Sequence, residues 1–248
     1  FFFCVGMKTE SAVVINTFAV YGAPIFSGMV AALTIGVCYY FSCVVNHTSN
    51  CWPQTDITHT ARYPPAEYIF RVGIPISMVI LMQVWWVIWS WIGAEGDRVG
   101  VSRWSETFSF ALGVLGANLL IIASVLIQPG QMDWGLHTTG ATGFFICTLI
   151  AQLLFTRKLG MLMARDPTIT SQLSLKIKKT AVTLFLIAAA VDQAGFMGYF
   201  PNYPNLANVL EYVMTALVLI WLVSCALDFK DRLVLNLVLL SPSPSSSI

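Results

Sequence analysis

The chain has 248 residues, 57% of them hydrophobic and only 10% charged, with a mean hydropathy of +0.75, whereas a soluble domain is about 25% charged. That balance excludes a soluble globular domain and defines an integral membrane protein. A net charge of +1, with no basic patch interleaved with aromatics, gives no basis for nucleic acid or for an acidic partner.

A helix needs about 20 mainly apolar residues to cross the hydrocarbon core. Six runs reach that length, at 23–45, 68–92, 108–127, 138–155, 180–200 and 207–227, and none alternates as a barrel strand does. The expectation is an all-α polytopic protein, one six-helix transmembrane domain over 1–240 with a disordered Ser/Pro tail at 241–248. Apolar residues begin at Ser11, with Gly22 and Pro24 as a break, so 11–21 is expected to lie on or enter the cytosolic face as a lead-in. No small-residue cleavage site follows the first run, which predicts an uncleaved span. The chain opens on Phe1, so either its numbering begins inside a longer product or the natural start is Met7.

The stretch 51–77, CWPQTDITHTARYPPAEYIFRVGIPIS, carries Asp56, His59, Arg62, Glu67 and Arg71 straight into the second span. That span ends in Trp85, Trp86, Trp89 and Trp91, which suit an interfacial belt, and 93–107 is expected to be a solvated turn. Asn118 lies in the third span, and the turn after it holds Gln128, Pro129, Asp133 and Trp134. The fourth opens with His137, Gly140, Ala141 and Gly143, small residues that let another helix approach. A cytosolic loop is expected at 157–179, its cations fixing topology or touching anionic headgroups. Asp192 and Gln193 in the fifth span, and Asn208 and Glu211 in the sixth, sit at membrane depth, where polar groups face a partner or a wet cavity.

Of the 13 Lys and Arg residues, 11 flank one side of these spans, which predicts cytosolic termini and places 46–67, 128–137 and 201–206 in the lumen or outside the cell. Asn46 begins an Asn-His-Thr glycosylation acceptor on that side. Cys43 and Cys51 lie at the same end and either pair in an oxidising compartment or stay free. Cys4, Cys38, Cys147 and Cys225 lack metal-ligand spacing, and neither a metal nor a cofactor is expected.

By depth, Asp56, His59, Glu67, Arg71, Asp133, His137, Asp192 and Glu211 fall at the lumenal end, with almost nothing comparable expected in the cytosolic halves. Three uses are open. Asp56, His59, Glu67 and Arg71 suit a phosphorylated lipid headgroup, with Arg71 the phosphate partner. His137, with His59 as the other candidate base and Asp192 or Glu211 as orienting carboxylates, suits acyl transfer or hydrolysis. Arg71 paired with Asp192 or Glu211 would be structural. Neither GxSxG nor HExxH occurs.

PPAEYIFRVGI after a polar loop, His137 with the Gly/Ala-rich start and Phe144 and Phe145 of the fourth span, Glu211 and Tyr212 opening the sixth and Asp228 and Phe229 closing it together resemble the DRAM/Frag/Sfk family of six-span membrane proteins. The likeness covers nearly the whole chain, to Asp231. Pro65, Tyr68, Phe70 and Arg71 are most similar to the branch that acts after GPI attachment, while 55–58 match only part of the Ser-Asp-Thr-Gly motif of the autophagy modulators. The resemblance implies a Golgi or other endomembrane protein whose partner is a GPI lipid and whose work is fatty-acid reacylation of the anchor. Other branches imply a scaffold that recruits a phosphoinositide kinase at the plasma membrane, or autophagy modulation from lysosomes. A subunit of a larger membrane complex is a further reading, with membrane proteins as partners.

Overall fold

In hydrocarbon every backbone N–H and C=O must be satisfied without water, and a long apolar run that lacks strand alternation does so as a helix. The computed structural model describes residues 17–45, 51–126 and 134–229. Its elements are α1 (Thr17–Tyr39), continued by a π-helical turn (Tyr40–Val45), the single turn α2 (Ile57–Thr60), then α3 (Ala66–Arg98), α4 (Trp104–Val125), α5 (Trp134–Arg165), α6 (Gln172–Phe196) and α7 (Leu206–Phe229). Asn46, Asp133 and the 241–248 tail lie outside the described residues.

Among the described residues, five segments are long and apolar enough to cross a membrane: Tyr21–Val45, Ala66–Arg98, Trp104–Val125, Gly135–Arg165 and Leu206–Phe229. The sixth long helix, α6, falls outside that set and carries Lys176, Lys178, Lys179 and Asp192. Two boundaries differ from expectation. Residues from Thr17 onward are already helical, and α1 runs through Gly22 and Pro24 without a break; one lost backbone bond at Pro24 is milder than an interrupted helix in hydrocarbon. The expected 157–179 loop shrinks to 166–171, because α5 continues to Arg165 and α6 starts at Gln172 behind a Ser171 cap.

The six long helices form a ring in chain order. Each packs on its predecessor, and α7 returns to close on α1. Contacts along every seam run in opposite directions. Between α1 and α3, the Ser27 and Ser77 hydroxyls each donate to the other's carbonyl at 2.9 Å, while further along Cys38 Sγ donates to the Ala66 carbonyl at 3.3 Å. Between α4 and α5, Ser109 donates to the Ala151 carbonyl at 2.8 Å, and Gly140 lies against Leu119 and Ala123. Between α6 and α7, Ser174 reaches Asp228 at 2.6 Å, and Gly195 abuts Leu206.

Trp85 corrects the expected tryptophan belt. It is 1% exposed and stacks on Trp221 at 5.4 Å, because Gly113 leaves room for its ring; a Cβ there would lie 2.4 Å from it. Trp221 in turn packs edge-on against Phe155 and donates to Thr156 Oγ1 at 3.0 Å. Trp86 of that belt is exposed, as are Trp104 and Phe108 nearby, and a further group of exposed aromatics lies at the opposite end, at Trp52, Tyr63, Tyr68, Phe196, Tyr199 and Tyr203.

That end, where Cys43 and Cys51 are joined, is called the disulfide end. The other end is not the polar desert that depth-sorting predicts. Lys178 and Asp228, both with fully buried side chains, pair at 2.7 Å, and Ser174 and Ser224 accept from Lys178 at 2.8 and 2.9 Å. Thr170 also donates to Asp228. Lys158 and Glu106 form a second buried pair at 3.0 Å, so the 93–107 connection is not merely a solvated turn. These pairs allow cations to be buried within the bundle, since each finds an opposite charge and further oxygen acceptors, the Ser174 and Ser224 hydroxyls for Lys178 and the Ser102 carbonyl for Lys158.

Candidate functional site

The polar stretch after the disulfide folds into a roof over the ring. Asp56 caps α2, its Oδ1 accepting the His59 N–H at 2.6 Å as an N-cap carboxylate does. The same carboxylate meets His59 Nδ1 at 2.8 Å. Burial works to raise the Asp56 carboxyl, but the His59 ring and backbone N–H outweigh it and hold it below its usual value. The hydrogen bond to Asp56 raises His59 above its usual value, with burial opposing. The Ile57 N–H donates to the Glu211 carboxylate, tying α2 to α7.

Thr58 reaches across to α5. Its Oγ1 lies 3.1 Å from His137 Nε2, and His137 Nδ1 lies 2.9 Å from the Ala123 carbonyl on α4. A carbonyl only accepts, so Nδ1 carries the hydrogen. In the neutral ring, Nε2 then presents its lone pair to the Thr58 hydroxyl. His137 is 6% exposed.

Beneath this pair lies a cavity of about 70 Å³, with Ile57, Thr58, His137 and Glu211 at its polar end and Phe70, Ile74, Met78, Leu81, Phe144 and Leu219 among its apolar walls. At roughly 10–15 Å³ per water-sized body it holds a handful of atoms, the reacting end of a chain rather than a whole lipid. The sequence candidates therefore divide. His137 and Glu211 share the cavity. Asp192 does not line it, though it lies close enough to Glu211 to act on it electrostatically. Asp56 and His59 face each other on the roof. Glu67, 4% exposed, pairs with Arg71 at 3.1 Å.

Arg71 therefore does not take Asp192 or Glu211 as its partner. Residues four apart on one helix are nearest neighbours, and Glu67 is already there. Among the described residues no group of three or more His, Cys, Asp or Glu could hold a metal ion. Thr58 escaped sequence reasoning, since nothing in TDITHT marks one threonine above another. Lys178 and Asp228 did leave a signal: Ser174 with Lys178, and Ser224 with Asp228, are both spaced four apart inside apolar helices.

An all-helical membrane bundle, roofed at one end over a small polar-tipped cavity, is the class of protein that the fold defines. The chain belongs to the Frag1/DRAM/Sfk1/Cwh43P family, whose N-terminal domain matches residues 17–232. No curated protein and no solved structure matches it significantly.

Proposed function

We propose that the protein binds a GPI-type lipid at the disulfide end and supports fatty-acid reacylation of the lyso anchor. The observation that carries this reading is the His137 Nε2 lone pair directed at a hydroxyl in a cavity that is apolar below and bears Glu211 above. A base beside an apolar slot suits removal of a proton from an incoming lipid hydroxyl. Pro65, Tyr68, Phe70 and Arg71 support it as the residues most similar to post-GPI attachment to proteins factor two. Arg71 gives only Nη1 to Glu67, and its other donors suit a phosphate. On this reading the disulfide end is lumenal, Asn46 is glycosylated, both termini are cytosolic and the protein resides in the Golgi or another endomembrane. The chain then crosses six times, since α6 runs beside α7 from Ser174 and Asp228 to Gly195 and Leu206.

A scaffold reading is favoured by one observation, the exposed Arg157, Lys176 and Lys179 at the opposite end, which would offer cytosolic cations to a kinase or an anionic leaflet. The deciding experiment follows the lipid form and surface retention of GPI-anchored proteins in cells lacking the protein. Lyso anchors are expected to accumulate, and wild type but not His137→Ala is expected to restore them. Unchanged anchors with altered kinase recruitment or autophagy would move the assignment to the scaffold.

A further inference from the structure

We propose that Thr58 is a catalytic nucleophile that carries the acyl group between donor and acceptor, a step that rests on the acyl-transfer reading above. Three observations converge on it. Thr58 Oγ1 is within hydrogen-bond distance of His137 Nε2, at 3.1 Å. The other ring nitrogen is fixed by the Ala123 carbonyl at 2.9 Å, which sets the tautomer so that Nε2 accepts. Thr58, His137 and Glu211 all line one cavity whose remaining walls are mostly apolar. A hydroxyl, a base and a third group orienting the base are the parts that covalent acyl transfer needs.

The donor is a glycerophospholipid with an ester-linked acyl chain. Thr58 Oγ attacks the ester carbonyl carbon, and its proton passes to His137 Nε2. The tetrahedral adduct collapses with breakage of the bond between the acyl carbon and the glycerol oxygen, and that oxygen takes the proton from His137. The lyso donor leaves and an acyl ester remains on Thr58. The hydroxyl of a lyso anchor then gives its proton to His137 and attacks this ester. Collapse frees Thr58 Oγ, which recovers the proton.

The cavity size fits this division of labour. It receives an ester and the first few carbons, one substrate at a time, so a covalent relay removes the need to hold donor and acceptor together. The Ile57 N–H bond to Glu211 and the Asp56 cap hold α2 so that Thr58 stays over His137.

The test exposes the full chain in nanodiscs to hexadecyl fluorophosphonate, then locates the adduct by mass spectrometry. Wild type is expected to carry it on Thr58, and Thr58→Ser to carry it at the same position. Thr58→Val is expected to carry none there, and His137→Gln to label at least about 100-fold more slowly. An adduct missing from Thr58 in the wild type, or labelling undiminished in Thr58→Val, overturns the proposal. Equal unfolding midpoints for the Ser and Val variants separate lost chemistry from lost fold. In the anchor assay, full rescue by Thr58→Val overturns the nucleophile and leaves the anchor reading standing. Labelling at Thr58 in a protein whose loss leaves anchors unchanged supports the nucleophile and removes the anchor reading.

Discussion

Lys178 shows what one residue can demand of its surroundings. An ammonium removed from water needs a counter-charge and acceptors for its remaining protons. Asp228, Ser174 and Ser224 supply them at 2.7, 2.8 and 2.9 Å. Asp228→Asn is expected to lower stability by about 3–5 kcal/mol, because it strands a buried charge, whereas Lys178→Met combined with Asp228→Leu is expected to recover most of the loss. Reversible unfolding in mixed micelles measures both; a single variant within about 1 kcal/mol of wild type would mean that this pair does not hold α6 to α7. Individual charges were legible in the sequence, but their pairing was not. Glu67 and Arg71, four apart on one helix, are an easier reading than Lys178 and Asp228, which meet only once α6 folds back along α7.

At the scale of elements, seams are set by which residues are small. Gly140 allows α5 to lie directly on α4, three residues after His137. A Cβ there would sit 2.8 Å from the Leu119 carbonyl oxygen and 3.0 Å from the Ala123 Cβ. Neither can yield without moving backbone, and Ala123 is also the residue whose carbonyl seats the His137 ring. Gly140→Ala is therefore expected to destabilise by about 1–3 kcal/mol and to impair anchor rescue. Gly36→Ala, whose Cβ would meet nothing within 4 Å, is expected to match wild type or gain up to about 1 kcal/mol from the helix preference of Ala. Unfolding curves and the anchor assay read both; a Gly140→Ala protein with wild-type values would show that the α4–α5 seam tolerates separation. The small residues at 140–143 announced a close helix contact in the sequence, but not its partner. Nor did it show that Trp85 turns inward, since four tryptophans near a span end suit the interface equally well until Gly113 makes room for one of them.

For the whole molecule, the feature that decides topology is sidedness. Lys and Arg lie overwhelmingly on one side of the apolar runs, and exposed aromatics mark both ends, Trp86 and Trp104 at one and Tyr63, Tyr68 and Tyr199 at the other, where headgroups would meet them. Single cysteines introduced at Tyr63, Tyr199 and Lys176 test this with an impermeant thiol reagent. With six crossings, Tyr63→Cys and Tyr199→Cys are expected to label from the lumenal or external side and Lys176→Cys only after permeabilisation. If Tyr199→Cys instead labels from the same side as Lys176→Cys, α6 does not cross. Composition gave the membrane class, and long unbroken apolar runs without strand alternation gave the helices, because only helices and closed barrels leave a spanning backbone satisfied. The roof over the cavity was far less legible, since it depends on where one turn of helix settles between α1 and α7.

The chain-ordered ring also bears on how the protein is made. Each helix leaving the ribosome meets its immediate predecessor as a packing partner, so assembly can proceed hairpin by hairpin across short connections. One seam cannot form this way. Gly28 of α1 waits for Val223 of α7, nearly the whole chain later, and until then a flank of α1 must rest against lipid or a borrowed helix. Helix α7 is the keystone: the walls and roof stand unfinished until its arrival, which brings Glu211 and shuts the chamber in a single event.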